Sequence, residues 1–79
     1  MNKLFYLQSI TSKHNVKPLD VERWLWTNVG PGGHWLYNRV DDTIEREQGD
    51  EWGMYYYLGS RVVEILDEKK ALMFVLKWV

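Results

Sequence analysis

The sequence contains no cysteine, only two prolines and only two histidines among its 79 residues. Without cysteine there are no disulfide cross-links, no thiolate zinc site and no cysteine nucleophile. The longest apolar stretch, Ala71 to Leu76, is far shorter than the ~20 residues of a membrane-spanning helix. The N-terminus lacks the long apolar region and small-residue cleavage site of a signal peptide, so a cytoplasmic setting is expected. There is also no excess of charge of one sign. Ten basic and eleven acidic residues give a net charge of −1, which excludes a cationic field over the whole molecule for gripping nucleic acid. A chain this short holds one hydrophobic core, so residues 1–79 read as a single globular domain.

Aromatic residues are plentiful. Five Trp, five Tyr and two Phe can each bury ~150–250 Å², which builds a core in a short chain without disulfides or metal. Most of these rings therefore serve packing, and a minority is free to anchor a binding surface, where Trp and Tyr are favoured.

Along the chain, Leu4 to Ile10 carries strand formers in alternation and reads as a first strand; Thr11 to Lys17 reads as a loop. Pro18 opens a helical signature and Asp20 caps it, predicting a short helix from about Val21 to Val29 with Val21, Trp24, Leu25 and Val29 on one stripe, ended by Gly30 and Pro31. After the turn Gly30-Pro31-Gly32-Gly33, His34 to Val40 resembles a strand, with Trp35, Tyr37 and Arg39 on one face. Met54 to Leu58 and Arg61 to Leu66 read either as a hairpin turning at Gly59-Ser60 or as one long strand bulged at the glycine. Asp67 to Val79 fits a buried strand by its Phe and Trp. It fits a helix by its acidic cap and by Leu72, Val75, Leu76 and Val79 at i, i+3, i+4 and i+7, and helix is the preferred reading. These elements predict an α+β fold: a small antiparallel sheet of three to four strands with two helices on one face.

Asp41 to Glu51 holds six carboxylates and one basic residue, a local charge of −5, leaving +4 on the rest of the chain. Such a segment attracts Lys/Arg-rich surfaces and speeds encounter. Against a docking patch stand a merely solvated acidic face and a hard-cation site, although the ligand spacing of a calcium loop is not met. The aromatic neighbours Trp52 and Tyr56 would anchor such an interface, with Trp35 and Tyr37 as second-rank candidates.

Catalytic chemistry is thin. His34, after a glycine-rich turn, could be oriented by Asp41 or Asp42 as a general base, but a solvated loop histidine is the simpler reading. Leu58-Gly59-Ser60-Arg61 lacks the glycines of a nucleophile elbow, and Gly30-Pro31-Gly32-Gly33 lacks the lysine of a phosphate loop.

The ending, an apolar strand Val62-Val63-Glu64-Ile65-Leu66, then Asp67-Glu68, then a helix with Ala71, Phe74 and a late Trp78, resembles the strand–acidic cap–helix ending of many small uncharacterised phage-encoded α+β proteins. That resemblance implies a phage or mobile-element origin and a role in binding and inhibiting a host enzyme or defence complex.

The expectation is a non-enzymatic protein-interaction module, with neither metal nor cofactor, that meets a protein partner of basic surface. Asp41, Asp42, Glu45, Glu47, Asp50 and Glu51 would supply the charge, and Trp52 and Tyr56 the anchors. The alternatives are a single-stranded nucleic-acid binder stacking bases on the Trp35/Tyr37 face and a self-associating assembly protein.

Overall fold

The computed structural model describes residues 3–79. Leu4–Tyr6 forms strand β1, and the chain turns at once into helix α1, Leu7–His14. The strand expected to reach Ile10 therefore stops at Tyr6, and half of the expected loop is helical. Leu7 and Ile10, three apart, face the core while Gln8, Ser9 and Ser12 face solvent, the spacing of a helix and not of a strand. The helix closes at Asn15, whose left-handed φ of 52° suits asparagine.

Helix α2, Pro18–Asn28, starts three residues before the expected point. Proline at the first helical position loses no intrahelical bond there. Asp20 does serve the N-terminus, but backwards: its Oδ2 accepts from the Lys17 N–H at 2.9 Å.

The expected strand over His34 to Val40 divides at Trp35. Gly32–His34 (β2) joins the main sheet, whereas Leu36–Asn38 (β3) pairs antiparallel with Thr43–Glu45 (β4) in a separate two-stranded sheet. Trp52–Tyr57 (β5) and Ser60–Ile65 (β6) form a true hairpin, Trp52 opposite Ile65 and Tyr57 opposite Ser60. Its two loop residues, Leu58 and Gly59, both have positive φ, 50° and 85°, the conformation that matches the twist of paired strands. Helix α3, Glu68–Trp78, ends the chain, capped by Asp67, whose Oδ1 accepts from the amides of Lys69 and Lys70. Those bonds hold the Asp67 carboxyl below its ordinary value, the Lys70 amide contributing most.

The main sheet runs β1-β6-β5-β2. It is mixed rather than purely antiparallel, because β2 pairs parallel to β5, and the described residues hold three helices rather than two. A parallel pair cannot be joined by a tight turn and needs a long crossover. Residues 35–51 supply it, and the β3–β4 hairpin occupies that crossover where a helix commonly sits.

Strand alternation splits the sheet into two faces. Phe5, Trp52, Met54, Val63 and Ile65 pack with Leu7 and Ile10 of α1, Val21 and Leu25 of α2, and Phe74 and Trp78 of α3. On the other face Trp35, Tyr55 and Val62 pack with Tyr37, Ile44, Tyr57 and Leu4. In α3 the stripe expected to be buried is largely outside. Ala71, Phe74, Val75 and Trp78 pack inward, while Leu72, Leu76 and Val79 are exposed, Leu76 at 80 %. The helix carries two apolar stripes, and the aromatic one won the core because Phe74 stacks on Phe5 at 4.8 Å and brings more area per residue.

Gly53 lets Trp35 lie against the main sheet. A Cβ built there would stand 2.0 Å from the Trp35 ring, so Gly53→Ala must push the indole out. The expected outcome is a loss of about 1–3 kcal/mol, the usual cost of overpacking, read as a lower urea midpoint with an unchanged denaturant slope.

Candidate functional site

The acidic segment and the cleft beneath it are built by the crossover. At the tip of the β3–β4 hairpin, Asn38 Oδ1 accepts from the amides of Val40 and Asp41 at 2.9 and 3.3 Å, an Asx turn. Asp42 completes the tip with φ 54°. Alternation along β4 turns Ile44 inward and leaves Thr43 and Glu45 exposed.

The six carboxylates have different employment. Asp50 Oδ2 accepts from the Trp35 indole N–H at 2.9 Å. Glu51 Oε1 pairs with Lys70 Nζ at 2.7 Å, and the same ammonium donates to the Val29 carbonyl. These two hold the crossover to the body of the domain. Asp41 Oδ2 accepts from Asn38 Nδ2 and Asp42 Oδ1 from the Tyr37 hydroxyl, at 3.1 and 2.7 Å. Both remain exposed at the tip. Glu45 and Glu47 are exposed and have no hydrogen bond or ion pair among the described residues.

The expected anchors do not join them. Trp52 is fully buried, its indole N–H donating to the Gly30 carbonyl at 2.7 Å; it is a core residue, not a surface one. Tyr56 is 67 % exposed, but it sits opposite Arg61, whose guanidinium carbon lies 5.9 Å from its ring centre. By alternation it shares the helix-bearing face of the sheet, away from the hairpin. Trp35 is buried at 4 %, stacked on Tyr55 with ring centres 6.2 Å apart, so its face is covered and offers no platform for bases. Of the second-rank pair, Tyr37 alone reaches the acidic tip. His34 bonds Glu22 Oε1 at 3.0 Å, not Asp41 or Asp42, and His14 bonds the Trp78 carbonyl.

Under the hairpin, between it and the sheet, lies a cleft of about 280 Å³ lined by Leu4, Tyr37, Asp42, Ile44, Arg46, Tyr55, Tyr57 and Glu64. Glu64 is its buried charge, 2 % exposed. The Tyr55 hydroxyl donates to Glu64 Oε1 at 2.7 Å, and Arg46 Nη2 donates to Oε2 at 2.8 Å. Arg46 also lies over the Trp35 ring, 5.4 Å from its centre. A buried carboxylate is tolerated only when paired and bonded, and this one is. Burial, and then the bond to Glu64, push the Tyr55 hydroxyl well above the ordinary tyrosine value. The Tyr37 hydroxyl is raised as well, chiefly by its bond to Asp42. Sequence reasoning missed Glu64, Arg46, Tyr55 and Tyr57 as a group. The available signal was Glu64 itself, the one charged residue inside Val62-Val63-Glu64-Ile65.

Among the described residues no group of three or more His, Cys, Asp or Glu is arranged to hold a metal ion, and no helix is long and apolar enough to cross a membrane. The chain matches no protein-family model, no curated protein and no solved structure in comparisons with each.

Because the Tyr55 pKa is higher folded than unfolded, the stability it contributes is full below the ordinary value of 10.0. It is lost as pH rises above that value toward the folded one, with a slope of up to about 1.4 kcal/mol per pH unit. Tyr55→Phe should flatten that alkaline loss, measured as urea midpoints between pH 8 and 11, while the parent protein loses stability steeply above pH 10.

Proposed function

We propose that this chain is a non-enzymatic interaction module that docks a basic surface of a larger protein through its acidic crossover hairpin. The observation that supports the reading most is that Glu45, at the end of β4, and Glu47, just after it, are exposed and have no hydrogen bond or ion pair among the described residues, on the same crossover whose tip exposes Asp41 and Asp42. Four exposed carboxylates within residues 41–47 of one crossover form a local negative field that steers cationic partners. The phage-type resemblance of residues 62–78 makes an inhibitor or modulator of a host protein or defence complex, acting in the host cytoplasm, the natural form of this role.

Asp41→Lys/Glu45→Lys/Glu47→Lys should slow association with the captured partner at least tenfold at low salt and leave the melting temperature within about 2 °C, since these side chains carry little of the fold. Stopped-flow association rates over 20–500 mM salt check this; equal rates for parent and variant overturn the reading.

A second reading, self-association, is favoured by one observation: the outward stripe Leu72, Met73, Leu76 and Val79 on α3, a contiguous apolar surface of the sort that marks contact sites. On that reading the chain sediments with rising mass at rising concentration, and Leu76→Glu holds it at monomer mass. A constant monomer mass for the parent protein removes it.

A further inference from the structure

The cleft beneath the hairpin has two halves of different chemistry. Its charged half is already closed, because Glu64 receives the Tyr55 hydroxyl on one oxygen and the Arg46 guanidinium on the other, and Arg46 is held against Trp35. The open half is formed by Tyr37, Tyr57 and Asp42. The two phenol rings lie with centres 4.7 Å apart and planes inclined by 56°, and Tyr37 is tied by its hydroxyl to Asp42 Oδ1. Asp42 Oδ2 accepts no bond from the described residues. Two π faces beside a carboxylate oxygen attract a cation, and Leu4 and Ile44 at the walls suit an alkyl stem. At about 280 Å³ the whole cleft lies at the lower edge of the ~300–1,000 Å³ of small-molecule pockets, with room for one long side chain in its open half.

We propose that this half-cleft receives the side chain of one lysine from the docked partner, its methylenes on Tyr37 and Tyr57 and its ammonium on Asp42 Oδ2. Lysine is preferred to arginine because a guanidinium gains most from two carboxylate oxygens in a fork, whereas an ammonium is a point charge satisfied by one. Here one oxygen remains. The inference rests on the docking reading above and adds to it a specific recognition site.

The test uses deca-lysine and deca-arginine peptides with the intact protein, read by calorimetry and by proton NMR. Insertion places lysine ε-methylene protons over the tyrosine rings, so a subset should shift upfield by ring current in the bound peptide. Asp42→Asn keeps both the left-handed turn, which asparagine tolerates, and an acceptor for Tyr37. It should weaken deca-lysine binding about threefold to tenfold and reduce the upfield shift. Tyr57→Leu should abolish most of the shift, and Tyr57→Phe, which keeps the π face, should retain it. Glu45→Gln/Glu47→Gln should weaken binding while leaving the shift intact. If the parent protein binds deca-lysine without an upfield ε-methylene shift, or binds deca-arginine as tightly with its δ-methylenes shifted alike, lysine insertion is overturned while docking through the hairpin stands. If deca-lysine does not bind at all, both readings fall.

Discussion

Glu64 is the fifth residue of a six-residue strand, flanked in sequence by valine and isoleucine and almost sealed from water. A carboxylate there must either be neutralised or be bonded on both oxygens, and the outer face of the sheet meets that demand with the Tyr55 hydroxyl on one side and Arg46 on the other. Arg46 follows directly after β4, so its reach to Glu64 fastens the crossover hairpin to the sheet. Trp35, stacked on Tyr55 and bonded to Asp50, fastens its other end. The placement of the hairpin, and with it the exposed carboxylates, depends on this one buried charge.

The two faces of the sheet solve different problems. The helix-bearing face is closed by rings and aliphatic side chains, Phe5 on Phe74 and Trp24 edge-on to Phe74 and Trp78, and owes its stability to area removed from water. The hairpin face is smaller, mixed in polarity and incompletely filled, its strands too short to cover the sheet. A polar network of this sort specifies one arrangement more than it adds stability, and its unfilled volume is the cleft. The two faces thus differ in how they are closed, apolar area on one and a bonded charge among rings on the other, although the same strands carry both.

Much of the fold was legible wherever local chemistry was unambiguous. Pro18 with Asp20, Asp67 ahead of a helix-forming run, and the Gly59 turn each act within a few residues, and the elements they predict are present. The misreadings came where tertiary context decided. Leu7 to His14 has few strong helix formers, and it is helical because Leu7 and Ile10 reach the core only in that conformation. Nothing local tells Trp35 to leave the sheet; the break follows from its packing over Gly53. For α3, two apolar stripes compete within one sequence, and the rings waiting on β1 and α2, Phe5 and Trp24, select between them. The acidic segment was visible as composition, yet which carboxylates serve the fold depended on partners far along the chain, Asp50 on Trp35 and Glu51 on Lys70. The cleft was invisible for the same reason: its rings come from β3 and β5, and no spacing in the sequence joins Tyr37 to Tyr57.

The pairing of β1 with β6, Phe5 opposite Val63, has a consequence for how the chain acquires its structure. Among the described residues β1 has no strand partner before β6, and the ring that packs on Phe5 belongs to Phe74, later still. The shortest closure in the main sheet is the β5–β6 hairpin, whose turn is set by two adjacent residues. Joining Leu4 to Glu64 instead spans about 60 residues, so the contacts of β1 carry a high loop-closure cost that they repay only when β6 and α3 are in place.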